Sequence, residues 1–169
     1  MKDVLLLYTE PGGNLGQVAA LVSLEFDLHE ITVKTLSEFV PEDFEGIKLC
    51  ILGTSDYGNE DERWNLFFKS IKNLKLKGCK FAFFALGNQI WYPNRFVDVL
   101  GYFKRKVEAM GCKVIGDWPT AGYHFNKSEG SNGDMFYGLA LDQGTQSDRT
   151  SKRIKEWTAA IKSKIYVPA

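Results

Sequence analysis

The sequence has little with which to bind a transition metal or build a disulfide frame. It holds two histidines and three cysteines, and Cys50, Cys79 and Cys112 show no Cys-x-x-Cys spacing. Zinc sites need clustered His and Cys ligands, so no metal centre is expected. An odd, unspaced set of thiols fits a reducing cytoplasm better than a secreted scaffold. Long apolar runs are missing too: nothing approaches the roughly 20 residues of a membrane helix. Asp3 stands ahead of only five apolar residues, Val4–Tyr8, so the N-terminus does not read as a secretion signal. No excess of either charge exists, with 21 basic against 21 acidic residues. Neither nucleic acid nor a membrane is therefore expected as a partner.

What is present is an ordinary globular composition, 44% apolar over 169 residues, enough for one domain spanning residues 1–169 with a real core. The hydrophobic period alternates along the chain. Val4 to Tyr8 is a short continuous apolar block, as in a strand covered on both faces, and Leu15, Val18, Ala19, Val22 and Phe26 then recur at helical spacing. "HEITVKTL" alternates like a more exposed strand. "GIKLCILGT" and "CKFAFFALG" are two further buried blocks, each followed by a helical stripe: Trp64, Phe67, Phe68 and Ile71, then Phe96, Val99, Leu100, Phe103 and Val107. "CKVIGDW" starts a last strand, and Ile154, Trp157, Ile161 and Ile165 mark a closing helix for which Thr150 or Ser151 is the expected cap. Strands alternating with helices predict an α/β doubly wound parallel sheet with helices on both faces. The thirty or so residues between "CKVIGDW" and the closing helix are too long for a plain connection. With "MFYGLALD" strand-like among them, they read as a last strand divided by an inserted loop.

Three loops should meet at the C-terminal edge of such a sheet. "TEPGGN" offers two glycines and a helix N-terminus, where inward-turned amides can hold an anion. "GTSDYGNEDERW" places Tyr57 at the sheet edge beside a flexible Gly58 peptide. "LGNQIWYPNRF" carries Trp91 and Tyr92 between a strand and the next helix, where no core can absorb both rings. Aromatic loops flanking one crevice beside a Gly-rich helix start suit a flat ring system with a phosphate tail. Outside these loops the stretch "KSIKNLKLKGCK" is strongly basic and reads as a solvated surface.

Taken together, "LGTSDYG", Trp64 after an acidic step, "LGNQIWYPNRFVDVLG", "GYHFNKS", "YGLALD" and "RIKEW" resemble the flavodoxin family, its long-chain group, over essentially the whole chain. The resemblance implies a flavodoxin-like five-stranded parallel sheet in the order 2-1-3-4-5, its last strand interrupted by a long loop. It also implies one non-covalent FMN and low-potential electron transfer. By position, Glu10, Pro11, Gly12, Gly13, Asn14 and Leu15 would surround the FMN phosphate, with Thr9 beside them. Thr54, Ser55 and Asp56 lead to Tyr57, which would cover one face of the isoalloxazine, and Tyr92 would stack on the other. The Gly58–Asn59 peptide falls where the family turns a carbonyl toward flavin N5. Leu86, Gly87 and Asn88 would approach the pyrimidine edge, with Arg95 nearby.

Departures from the family pattern carry their own expectations. The hydroxyls that family members present to the phosphate are replaced by Glu10, Gly12 and Leu15, so backbone N–H groups should dominate the cradle. Glu10 should point outward. Asn88 in a position usually acidic, and the added cation Arg95, should make reduction of the flavin to its anion easier than is usual in the family. The implied partners are an NAD(P)H-dependent flavodoxin or ferredoxin reductase as donor and redox acceptor proteins, met by a monomeric carrier that is not an enzyme. Two other readings remain open at this point: an FMN-dependent NAD(P)H or quinone-type reductase, and a flavodoxin-like binding module that has lost FMN.

Overall fold

The computed structural model describes residues 2–57 and 61–168. The chain alternates β1 (Val4–Tyr8), α1 (Gly13–Leu24), β2 (Ile31–Thr35), β3 (Leu49–Ser55), α2 (Glu62–Ile71), β4 (Lys80–Leu86) and α3 (Val99–Ala109). It then passes through four short strands, β5 (Lys113–Val114), β6 (Trp118–Pro119), β7 (Met135–Phe136) and β8 (Leu139–Leu141), into α4 (Thr150–Lys162). The main sheet runs β2-β1-β3-β4-β5 with every pairing parallel, as the sequence predicts. The divided last strand is resolved into two pieces that share one edge. β5 pairs with the first residues of β4 (Lys80↔Lys113) and β8 with its last three (Leu86↔Leu141). Between them the inserted loop carries its own antiparallel pair, β6 with β7.

The unbroken apolar blocks are explained by a core on each face of the sheet. Leu5, Leu7, Phe81 and Phe83 face a layer containing Trp64, Phe67, Phe68 and Phe103 from α2 and α3. Their neighbours Val4, Leu6, Ala82 and Phe84 face Val18, Val22, Trp157 and Ile161 from α1 and α4. Side chains alternate faces along a strand, so a strand sandwiched between helices must be apolar at every position. Each tryptophan of these layers also satisfies its indole N–H: Trp64 donates to Thr54 Oγ1 (3.1 Å) and Trp157 to the Gly116 carbonyl (2.8 Å).

Two helix starts differ from expectation. Thr150 is already helical (φ −61°, ψ −49°), so it does not cap α4; a 3₁₀ turn, Ser147–Arg149, leads in, and no side chain caps the helix. Phe96 lies before α3, whose first N–H, that of Val99, donates to Asp56 Oδ2 at 2.9 Å. That cap comes from another loop, 43 residues away. Among the described residues no helix is long and apolar enough to cross a membrane.

Candidate functional site

The three loops that follow β1, β3 and β4 meet at one sheet edge, joined by the loop that follows β8. The first is backbone in character. Gly12 (φ 88°) and Gly13 (φ 59°) both occupy left-handed conformations that a side chain would strain, and a Cβ at either would meet nothing within 4 Å. α1 opens here with no side-chain cap and no acidic residue in its first turn. Its first amides are therefore left without a side-chain cap in open space, the arrangement that binds anions. Pro11 and Asn14 are exposed, whereas Thr9 is buried and Leu15 packs into the α1 core, so Leu15 brings only its N–H to the turn.

Glu10 points outward, with 60% of its side chain exposed, as expected. Arg63, which the sequence reading did not single out, explains how the acid is tolerated. Its guanidinium lies 3.7 Å from Glu10, donates to the Thr9 carbonyl (3.3 Å) and forks onto Asp61 (2.8 Å). Asp61 in turn accepts the Arg63 N–H as the N-cap of α2. Arg63 holds the Asp61 carboxyl below the usual carboxylate range, the side-chain hydrogen bond being the largest cause.

The second loop is described as far as Tyr57; Gly58 and Asn59 lie outside the described residues. Thr54 is buried and its hydroxyl is engaged by Trp64. Asp56 is buried as the cap of α3, and its own N–H continues the β3–β4 ladder to the Leu86 carbonyl (2.7 Å). Tyr57 is half-buried against the α1–α4 layer; burial first, and the Asp142 carboxylate second, push its phenol up. Thr54, Ser55, Asp56 and Arg95 line one cleft of about 280 Å³ between the starts of α2 and α3.

The third loop is braced by side chains. Gly87 is required by close approach, since a Cβ there would lie 2.9 Å from both Phe96 and Val97. Asn88 is buried and its Oδ1 accepts the N–H groups of Ile90 (3.0 Å) and Trp91 (2.9 Å). Its role in this fold is thus to shape the turn that delivers Tyr92, which is half-buried, and Trp91, which is 76% exposed. Leu86 is fully buried, and Arg95 is exposed with its charge felt by Asp98.

The residue that ties the edge together was missed. Asp142, fully buried at the end of β8, accepts the Gln89 N–H (3.0 Å), the Gln89 side-chain amide (2.9 Å), the Thr145 N–H (2.9 Å) and the Thr145 hydroxyl (2.6 Å). Its signal was available: an acid directly after the apolar "LAL" block sits where a strand delivers a side chain to the sheet edge.

Comparison with known proteins agrees with this fold. The flavodoxin family model matches residues 11–157. A flavodoxin of Trichodesmium erythraeum is 36% identical over 99% of this chain and 100% of its own length. Flavodoxin 1 of Salmonella typhimurium is 31% identical over 92% of this chain and 90% of its own. The crystal structure of Fusobacterium nucleatum flavodoxin bound to flavin mononucleotide superposes with a TM-score of 0.87 at 26% identity, covering 97% of this chain and 99% of that one. With a family model matching most of its length and relatives above 30% identity end to end, the chain belongs to the flavodoxin family.

Proposed function

We propose that this protein is an FMN-dependent, low-potential electron carrier that takes electrons from an NAD(P)H-dependent flavodoxin or ferredoxin reductase and passes them to redox acceptor proteins. The observation that carries the reading is the uncapped start of α1 behind Gly12 and Gly13, opening onto the same edge as Tyr57 and Tyr92. A helix start is commonly closed by a polar side chain; at this one, on the ligand edge of the sheet, the donors are left for a dianion. The residues fit FMN, whose chemistry when bound is to take up and release electrons singly at its ring.

The amides of the Gly12–Leu15 turn would hold the phosphate, helped by the partial positive end of α1. Arg63 offsets the Glu10 charge that would otherwise oppose it. Tyr57 and Tyr92 would enclose the ring and exclude water, while Asp142 and Asn88 hold the third loop in shape. Buried carboxylates nearby, Asp56 and Asp142, make added negative charge on the ring costly and so keep the potential low. Arg95 works against them, which supports a second one-electron potential less negative than is usual in the family. Three free, buried thiols suit a reducing cytoplasm.

The test is reconstitution. Protein purified without added flavin should be yellow, or become so with FMN, and a donor reductase should then reduce it anaerobically. A polypeptide that stays colourless in excess FMN overturns the proposal. Steady NAD(P)H oxidation by the isolated holoprotein would instead favour a reductase on the same architecture.

A further inference from the structure

The balanced net charge conceals a division. Residues 1–68 hold 13 acidic and 4 basic side chains, whereas residues 69–169 hold 8 acidic and 17 basic. The strand order β2-β1-β3-β4-β5 converts this division along the chain into one across the sheet, because the first half supplies β1, β2 and β3 and the second supplies β4 and the strands beyond it. Six lysines of the basic half gather at one place. α2 and α3 run back to the edge where β4 and β5 begin, opposite the edge that carries the flavin loops. There Lys69, Lys72, Lys75, Lys77, Lys106 and Lys113 are all exposed.

These lysines share one surface. Cys112 Sγ lies 3.5 Å from the Leu76 carbonyl, which sets the Leu74–Lys77 turn beside the start of β5. Lys113 is in register with Lys80. Lys80 itself is turned inward, donating to the carbonyls of Lys164, Ile165 and Val167, so it ties the C-terminal turn to this pole. Lys69 and Lys106 occupy the last turns of their helices and are accounted for by the helix dipole. Lys72, the C-cap residue of α2, shares in that effect, whereas Lys75, Lys77 and Lys113 do not; among the described residues none of these four pairs with a carboxylate. Four unpaired like charges repel one another, and an anionic surface would relieve that.

The chemistry of the patch narrows the partner. Its unpaired cations are lysines, without an arginine fork, and the exposed ring of the adjoining turn, Tyr166, is engaged by Lys48 and Asp3, so the patch offers point charges without the geometry that grips single phosphates or stacks bases. It is carried on an exposed turn closed by short-range bonds (Leu74 N–H to Ile71 O, Cys79 N–H to Leu76 O). Leu74 stands 37% exposed between Lys72 and Lys75. A cluster of lysines beside one partly exposed apolar side chain matches a lipid headgroup layer, where each cation gains from the surface potential.

We propose that this lysine pole docks the protein on an anionic lipid bilayer, with Leu74 entering the headgroup region and the flavin loops facing away toward soluble partners. The contact is with a surface; that no helix among the described residues is long and apolar enough to span a bilayer bears on insertion and not on this. It does not depend on FMN, so apoprotein and holoprotein should behave alike.

Co-sedimentation with vesicles tests it. The protein should pellet with phosphatidylcholine vesicles containing about 30% phosphatidylglycerol at low salt, and stay in solution with pure phosphatidylcholine or at about 0.5 M KCl. The triple variant Lys72→Gln, Lys75→Gln, Lys77→Gln should bind about tenfold or more weakly, with an unchanged circular dichroism spectrum and FMN affinity. A control pair, Lys152→Gln with Lys155→Gln on the outer face of α4, should bind as the parent does. Failure of the parent to pellet, full binding by the triple variant, an equal loss in the control pair, or equal binding to neutral vesicles would each overturn the proposal. Retention on immobilised poly-glutamate without vesicle binding would overturn it in favour of an acidic protein partner.

Discussion

The two ends of the flavin edge are held in opposite ways. At the Gly12–Gly13 turn the backbone amides stand bare and almost no side chain supports them; at the Gly87–Tyr92 loop, buried side chains do the supporting. Asn88 folds the loop on itself and Asp142 fastens it to the loop after β8. Sensitivity to substitution should follow the same division. In the braced loop a change should cost stability of the whole protein, and in the bare turn it should cost ligand selectivity first.

Asp142→Ala is the sharpest test of the braced end. It strands the buried Gln89 N–H and removes the charged partner of the Gln89 side-chain amide, each costing roughly 1–3 kcal/mol, while the N–H of the exposed Thr145 is left to water; a loss of about 3 kcal/mol is expected in urea denaturation of the apoprotein. Thr145→Ala, which removes a hydroxyl that donates to Asp142 and accepts from Gln89 on an exposed residue, should cost about 1 kcal/mol. A stable Asp142→Ala variant with an intact third loop would erase the contrast.

Next in size comes Gly12→Ala. No atom blocks the added methyl, but φ 88° strains it by about 1–2 kcal/mol. The amides it displaces matter only to a ligand with a phosphate. FMN affinity should fall about tenfold or more, while riboflavin affinity should hardly move, as read by calorimetry on apoprotein. Equal losses for both ligands would mean that this turn supports the ring as well.

How much of this was readable beforehand depends on how far apart the cooperating residues lie. The buried strands were legible because a sandwiched strand is apolar at both parities, as Leu5, Leu6 and Leu7 show. The divided last strand was legible because "MFYGLALD" restores a strand pattern after a long insertion. The cap of α3 was not, since Asp56 reaches Val99 through space and leaves no local mark. Thr150 looked like a cap by residue type, yet a cap requires non-helical backbone, and the preceding 3₁₀ turn had already set Thr150 in the helix. In the candidate site, glycines and tyrosines announce themselves by position, whereas Asp142 and Arg63 act through partners dozens of residues away.

Arg63 offers a smaller effect that sharpens the comparison. It balances Glu10 at the bare turn through an exposed pair 3.7 Å apart. Arg63→Gln should lower the preference for FMN over riboflavin several-fold at low ionic strength, and Glu10→Gln should raise it. Both changes should shrink as salt rises. A salt-independent effect would mean that Glu10 contacts the ligand directly.

The smallest effect concerns Asp61, the N-cap that anchors Arg63. Asp61→Ala should cost about 1 kcal/mol near neutral pH, typical of a lost cap. The Asp61 carboxyl is held below its ordinary value near 3.8, so its contribution is fully present above that value and is lost as pH falls through the depressed one. The stability gap between parent and variant should therefore stay constant from neutral to mildly acidic pH and close only in strong acid. If it closed near pH 4 or above instead, Arg63 would not be paired with Asp61 in solution. The guanidinium would then be free to swing toward the phosphate turn, and the bare end would have the side-chain support that distinguishes the other.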